Sequence, residues 1–229
     1  MGELLVKNKD IVVPGEELAI GIDYLPAGGV FREKDKIIAL QVGLVNISGH
    51  LIKLIPLSGK YFPKKGDIVI GRVTDISFYG WRVDIGCAYE ANLSIKEAVS
   101  DYIDKRADLS QYYNYGEIIA AEIIHVSGSK IIDLTTNGPS LRKLKGGKII
   151  EVSPSKVPRI IGKQGSMINL IKEKTDCKIT VGQNGIIWIS GTNPKKEMIA
   201  TEVIHKINEE AHIDGLTDKI QKFLDKEIK

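Results

Sequence analysis

The chain is 229 residues long, with 32 Lys and Arg against 29 Asp and Glu for a formal net charge of +3, and 43% of its residues are hydrophobic and 27% charged. That balance is ordinary for globular protein and excludes wholesale disorder, a collagen-like chain and a disulfide scaffold. No apolar stretch approaches the roughly 18 residues that a membrane-spanning helix needs. Residues 1–10 lack the basic-then-apolar order of a secretion signal, and the two cysteines, Cys87 and Cys177, stand far apart without a CxxC pair. The expectation is a cytoplasmic protein with free thiols and no metal site.

From Ile11 to Pro63 the pattern is turns and short strands. Val13-Pro14-Gly15-Glu16 and Pro26-Ala27-Gly28-Gly29 are turn chemistry. Lys36–Ile47 and His50–Leu57 are β-rich runs separated by Ser48-Gly49, which predicts a hairpin, and no helix of useful length fits. Residues 1–63 are therefore expected to form a small all-β domain.

Lys64-Lys65-Gly66-Asp67 punctuates the chain before a second β unit. Strands are predicted over 68–73, 79–85, 89–95, 117–126 and 130–135, with a polar helix or loop over 101–109. Five strands with a longer excursion before the fourth suit a small closed barrel of the OB kind over 64–137.

After Asn137-Gly138-Pro139 the period changes. A strand over 147–152 is followed by short helices over 155–161 and 166–175. A hairpin over 177–190 turns around Gln183-Asn184-Gly185, where Asn-Gly is a strong turn signal. Asn193 is the predicted N-cap and Pro194 the first turn of a long helix, with Met198, Val203, Ile204 and Ile207 as its apolar face. One more amphipathic helix covers 214–228. The order β-α-α-β-β-α over 138–229 makes an α+β domain, so the chain is multidomain and β-rich overall.

Charge is unevenly spread. Residues 51–82 hold six basic and two acidic side chains and 141–174 hold nine and two, whereas 1–50 and 90–124 are net acidic. Two basic stretches that coincide with independent motifs point to a polyanionic partner.

The first of those motifs is Arg159-Ile160-Ile161-Gly162-Lys163-Gln164-Gly165-Ser166, in which two glycines join one helix to the next. Glycine accepts tight backbone geometry and lets a ligand approach the peptide groups. The amides that open the following helix favour a phosphate. Lys163 and Arg159 add charge, Gln164 can hydrogen-bond sugar or base, and Ile160, Ile161, Ile168 and Ile179 are expected to line an apolar groove beside the turn. The arrangement resembles a KH domain, whose GxxG loop clamps a single-stranded backbone. An ordinary helix–turn–helix corner would carry the same two glycines.

The second motif is Phe78-Tyr79-Gly80-Trp81-Arg82-Val83. Aromatic residues are only 6% of the chain, so this is a local concentration. Aromatic faces on a barrel can stack unpaired bases while Lys64, Lys65 and Arg82 track phosphates, or the same rings can fill the barrel core. Strand alternation places Tyr79 and Trp81 on one face and Arg82 on the other. The segment is similar to the RNA-binding barrel of ribosomal protein S-one: Gly80, Val83 and Asp84 match its pattern, Tyr79 stands at the first aromatic position, and Arg82 replaces the second. The histidine that many such barrels carry before the late Ser is absent around Asn92-Leu93-Ser94, which shifts the expected contact toward electrostatics.

The histidines, 50, 125, 205 and 212, are scattered without ligand spacing. Asp101, Asp104 and Asp108 can share a helical face, where a solvated acidic surface is favoured over a divalent-ion site. No nucleophile–base pair, P-loop or dinucleotide fingerprint is present.

A β-rich N-terminal domain, an S-one barrel and a KH domain in that order resemble the S-one/KH cap subunit of the archaeal exosome, the ribosomal-RNA-processing protein four family. Val13-Pro14-Gly15-Glu16 followed by Gly21-Ile22-Asp23-Tyr24 is similar to that family's opening signature, and Gly182-Gln183-Asn184-Gly185 to its GxNG motif. The resemblance implies a structural role for Gly182, Asn184 and Gly185. It also implies a non-catalytic RNA-binding subunit without cofactor, of which three sit on a six-membered ring of RNase-PH-like proteins. Such a cap recruits single-stranded, A-rich RNA and feeds the 3′ end to the phosphorolytic ring, while its N-terminal domain holds that ring. The alternatives from the residues alone are a stand-alone translation or transcription factor built from the same modules, and a small Mg-dependent phosphodiesterase using the acidic cluster.

Overall fold

The structure, a computed structural model, describes residues 2–99, 108–211 and 215–227. The chain divides into two units, Met1–Gly59 and Lys60–Lys229. The first holds eight short strands: β1 (Glu3–Leu4), β2 (Ile11–Val12), β3 (Glu17–Ile20), β4 (Leu25–Pro26), β5 (Val30–Glu33), β6 (Lys36–Ala39), β7 (Gly43–Ser48) and β8 (Leu51–Pro56). They form two four-stranded sheets in the orders β1-β3-β6-β5 and β2-β7-β8-β4. β8 shows why: Ile52 and Leu54 are buried while Leu51, Lys53 and Ile55 face outward, the two-residue period of a strand with one face on a core. That core gathers Leu18, Ile37, Val45, Ile52 and Leu54 from both sheets. The expected hairpin is present with its turn at Gly49–His50, since Ser48 pairs with Leu51. The run 36–47 is not one strand, however. β6 and β7 lie in different sheets, and the chain crosses between them at 40–42.

In the second unit β9 (Ile68–Ser77), β10 (Gly80–Asp84), β11 (Ala91–Ser94), β12 (Ile118–Val126) and β13 (Ile132–Thr135) close into a five-stranded barrel, because β12 pairs with both β9 and β13. A sixth strand, β14 (Arg142–Leu144), adds to the free part of β12 and was not expected from the sequence. A four-residue helix, α1 (Ile95–Ala98), follows β11. Thr136 ties it to the strand end, its N–H donating to the Glu97 carbonyl and its hydroxyl to the Ala98 carbonyl.

The C-terminal domain follows the predicted order closely: β15 (Lys148–Glu151), α2 (Val157–Ile161), α3 (Ser166–Thr175), β16 (Lys178–Val181), β17 (Ile186–Ser190), α4 (Pro194–Glu209) and α5 (Leu216–Glu227). The sheet order is β15-β17-β16. Its core joins Ile187 and Ile189 of the central strand to Ile160, Ile171, Val203, Ile204 and Ile220 of the four helices. Asn193 caps α4, its side-chain oxygen accepting from the Lys195 N–H at 2.9 Å. The predicted apolar face of α4 needs one correction. Met198 is 69% exposed, and Ala200 and Thr201 are buried alongside Val203, Ile204 and Ile207.

Barrel and C-terminal domain meet through sequence that is apolar on both strand faces. In β9 and β12 the consecutive residues Val69, Ile70 and Ile119, Ala120, Ala121 are all buried. Val69, Ile119 and Ala121 fill the barrel, whereas Ile70 and Ala120 point outward to pack with Leu144 and Trp188. Strands covered on both sides lose their alternation for this reason.

Candidate nucleic-acid interface

α2 ends at Ile161 because Gly162 leaves the helical region, with φ 75° and ψ 173°. A Cβ at Gly162 would stand 2.7 Å from the backbone nitrogen and the Cβ of Met167, so only glycine fits where the two helices approach. Lys163–Gly165 then make a single tight turn in which Gln164 is left-handed, and Gly165, also at positive φ, leads into α3. Lys163, Gln164 and Ser166 are exposed, at the end of a ten-residue helix whose opening amides carry partial positive charge. A phosphate backbone can approach this turn along its peptide groups. Arg159 lies one turn before it, and its Nε donates to the Ala211 carbonyl at 2.9 Å, which fixes the direction of the guanidinium. The expected groove residues lie deeper than foreseen: Ile160, Ile168 and Ile179 belong to the domain core, and only Ile161 keeps partial exposure.

On the barrel the aromatic motif divides. Gly80 pairs with Ser77 across a two-residue turn, so Phe78 and Tyr79 sit at a hairpin tip and not in the strand. They are 93% and 85% exposed. Gly80 has φ 143°, and a Cβ there would fall 2.1 Å from the Leu93 carbonyl oxygen, so the turn cannot carry another residue without displacing β11.

Trp81 is the clearest correction. It is 2% exposed, packs edge-on to Tyr113 with ring centroids 5.3 Å apart, and donates its indole N–H to the Tyr113 carbonyl at 2.8 Å. The ring fills the barrel and cannot stack a base. Tyr79 and Trp81 therefore do not share a face; the turn places one in solvent and strand alternation places the other inside. Phe78, absent from the expected contact residues, is as accessible as Tyr79, and a two-residue hairpin reading of Ser77-Phe78-Tyr79-Gly80 would have exposed it. Arg82 points outward with Glu90 3.8 Å away, and Lys64 and Lys65 are exposed in the turn before β9.

The GxNG segment lies elsewhere, at the junction of the two domains. Asn184 is buried; its amide donates to the carbonyls of Ile70 and Ile85, both at 2.8 Å, and its oxygen accepts from the Ile70 N–H at 3.3 Å. The Gln183 N–H donates to the Ile68 carbonyl at 2.7 Å. Gly185 has φ 83°, and a Cβ on it would stand 2.3 Å from the Val152 carbonyl oxygen.

Of the acidic cluster, Asp101 and Asp104 lie outside the described residues. Asp108 caps a short 3-10 turn by accepting from the Ser110 N–H, and hydrogen bonds from the Ser110 hydroxyl and then from that N–H hold its carboxyl below the usual range. Among the described residues no group of three His, Cys, Asp or Glu side chains is placed to hold a metal ion.

A five-stranded barrel carrying an exposed aromatic tip, joined to a βααββα domain with an open GxxG turn, defines the S-one/KH class of chain. Family profiles agree: one described as "RRP4, S1 domain" matches residues 60–125, and one described as "KH domain" matches residues 147–195. The chain is 46% identical to the exosome complex component Rrp4 of Pyrococcus abyssi, covering 98% of this chain and 85% of that protein. It is also 46% identical to the Rrp4 of Methanothermus fervidus, covering 98% and 99%. A crystal structure described as an exosome complex RNA-binding protein superposes with a TM-score of 0.66 at 37% identity, over 74% of this chain and 97% of that one. The chain belongs to the Rrp4 family of exosome complex components.

Proposed function

We propose that the chain is the non-catalytic RNA-binding cap subunit of an archaeal exosome, recruiting single-stranded A-rich RNA and passing its 3′ end to a phosphorolytic ring for degradation. The exposed GxxG turn in a chain of this family is the observation that carries the reading. Lys163 and Gln164 stand clear of the protein, Gly162 lets the two helices close up at the turn, Gly165 leaves room for a backbone to approach, and the turn lies within the basic stretch 141–174. Tyr79, Arg82, Lys64 and Lys65 on the barrel, with Arg159 and Ser166 beside the turn, would contribute further weak contacts. Three caps on one hexameric ring of RNase-PH-like subunits would raise the effective concentration of each contact.

In the N-terminal unit, Ile11, Ile22, Leu25 and Ile55 are exposed, a surface suited to protein contact with the ring. Among the described residues no helix is long and apolar enough to cross a membrane, and the two free cysteines suit a cytoplasmic setting. A stand-alone factor or a Mg-dependent phosphodiesterase is not favoured, since the whole-length relatives are exosome components.

The test replaces Lys163 and Gln164 together with Asp and measures RNA retention by filter binding over a range of salt. Affinity should fall and its salt dependence flatten while assembly with the ring is kept. Unchanged affinity removes the turn from RNA binding. Incubating the isolated chain with labelled RNA and Mg²⁺ should leave the RNA intact.

A further inference from the structure

The ring of Phe62 and the ammonium of Lys130 come from opposite ends of the barrel sequence, and the Lys130 Nζ lies 4.7 Å from the Phe62 ring centroid. We propose that these two residues, with Lys64 and Lys65, form a second single-stranded RNA contact, in which a base stacks on Phe62 and the lysines hold the flanking phosphates. This inference rests on the RNA-binding reading above and adds a site to it.

Two segments build the cluster, and both are held by backbone. The Gly66 N–H donates to the Ile123 carbonyl at 2.7 Å and the Ile123 N–H to the Asp67 carbonyl at 2.9 Å, which fastens the entry segment beside the end of β12. The β12–β13 turn is closed by the Ser127 N–H to the Ile131 carbonyl at 2.9 Å, and by the Ile131 N–H to the Ser127 hydroxyl at 2.9 Å. Lys130 is thus presented from a hydrogen-bonded turn.

The ammonium covers one face of the ring. Phe62 is nevertheless 57% exposed, so the ring keeps accessible surface for a base. Residues 60–67 and 127–131 carry four lysines and a single carboxylate, Asp67. That carboxylate is half-buried and accepts the Tyr61 hydroxyl at 2.6 Å, and the two segments together stay net positive. An exposed aromatic ring with one ammonium over it, and with the exposed Lys64 and Lys65 two and three residues further along the chain, has the chemistry of a stacked base with neutralised phosphates. Protein interfaces, by contrast, are depleted in lysine at their cores. The cluster lies at the start of β9 and Tyr79 beyond its other end, ten strand residues or about 30 Å away, so it is separate from the aromatic tip.

The experiment uses the full chain and a fluorescein-labelled single-stranded oligoadenylate, with affinity read by anisotropy across a salt series and folding checked by thermal melting. Phe62→Ala should weaken binding at least about fivefold with the salt slope unchanged. Lys130→Gln should weaken it and lower the slope by about 0.7, the loss of one phosphate contact on a single strand. Phe62→Leu, which keeps apolar bulk and removes the aromatic face, should behave like Phe62→Ala and guards against a folding explanation. If the parent chain binds and all three variants bind within about twofold of it, the second contact is overturned while the RNA-binding reading stands. A parent chain with no affinity for the oligonucleotide overturns both. Variants that lose assembly with ring subunits but keep RNA affinity would reassign the patch to protein contact and also overturn the proposal.

Discussion

Asn184 pairs with the backbone of Ile70 in both directions, its side-chain oxygen accepting from the Ile70 N–H and its amide donating to the Ile70 carbonyl, as a neighbouring strand would. β10 pairs with β9 only from Arg72 onward, so the first residues of β9 have no strand on that edge. The turn of the KH hairpin fills the gap, with Gln183 serving Ile68 and Asn184 serving Ile70. Asn184 thereby acts with the packing of Ile70, Ala120, Leu144 and Trp188 to hold the KH domain on the barrel. Asn184→Ala should leave the Ile70 and Ile85 groups buried and unpartnered and cost at least about 2 kcal/mol. Denaturant unfolding of the full chain checks it, and an unchanged midpoint would deny the amide this role.

Trp81 and Tyr79 offer opposite outcomes from positions two apart in one motif. Trp81→Phe keeps most of the ring but strands the Tyr113 carbonyl in the barrel interior, a loss of about 1–3 kcal/mol in stability. Its RNA affinity should stay at the parent value. A binding defect without a stability defect would show that the indole reaches RNA after all.

Tyr79→Ala should do the reverse. The ring lies in solvent, so the melting temperature should hold, while loss of one stacked base lowers RNA affinity by about 1–3 kcal/mol. Phe78→Ala, measured in the same titration, tells whether the tip acts as one ring or two.

Glu117 links the barrel to the strand that leads out of it. Burial raises its carboxyl, but the Asn114 N–H and the Lys143 ammonium, 2.5 Å away, more than offset that and hold it below the usual carboxylate range. A carboxyl depressed in the folded state contributes stability above its unfolded value and loses it as pH falls through the folded one. Glu117→Gln should therefore lower stability at neutral pH, by less than about 1 kcal/mol because both partners keep solvent contact. The difference should vanish in acid. A gap between the two melting curves that persists at low pH would mean packing, not charge, is responsible.

The last helix is part of the KH core and not an appendage. Ile220 and Leu224 are fully buried against α3 and α4, Lys174 pairs with Asp225 at 2.6 Å, and Lys206 covers the Phe223 ring. Leu224→Ala should cost about 2–5 kcal/mol. Thermal unfolding unchanged by the substitution would show that α5 only rests on the domain.

Local signals were legible in the chain itself. The Asn-Gly turn at 184–185, the Asn193–Pro194 helix start and the GxxG corner each depend on neighbours within a few residues. Local chemistry therefore specifies them, and the βααββα order follows. What required the folded chain was every decision about which side of a strand or helix meets another element. Trp81 is interior and Tyr79 exterior because a two-residue turn ends one residue later than alternation assumed. Met198 is solvent-facing because α4 meets the sheet through Ala200 and Val203. Ile70 faces outward only because a domain more than a hundred residues further along the chain covers it. Periodicity reports that a face is apolar; only packing between distant segments determines what covers it.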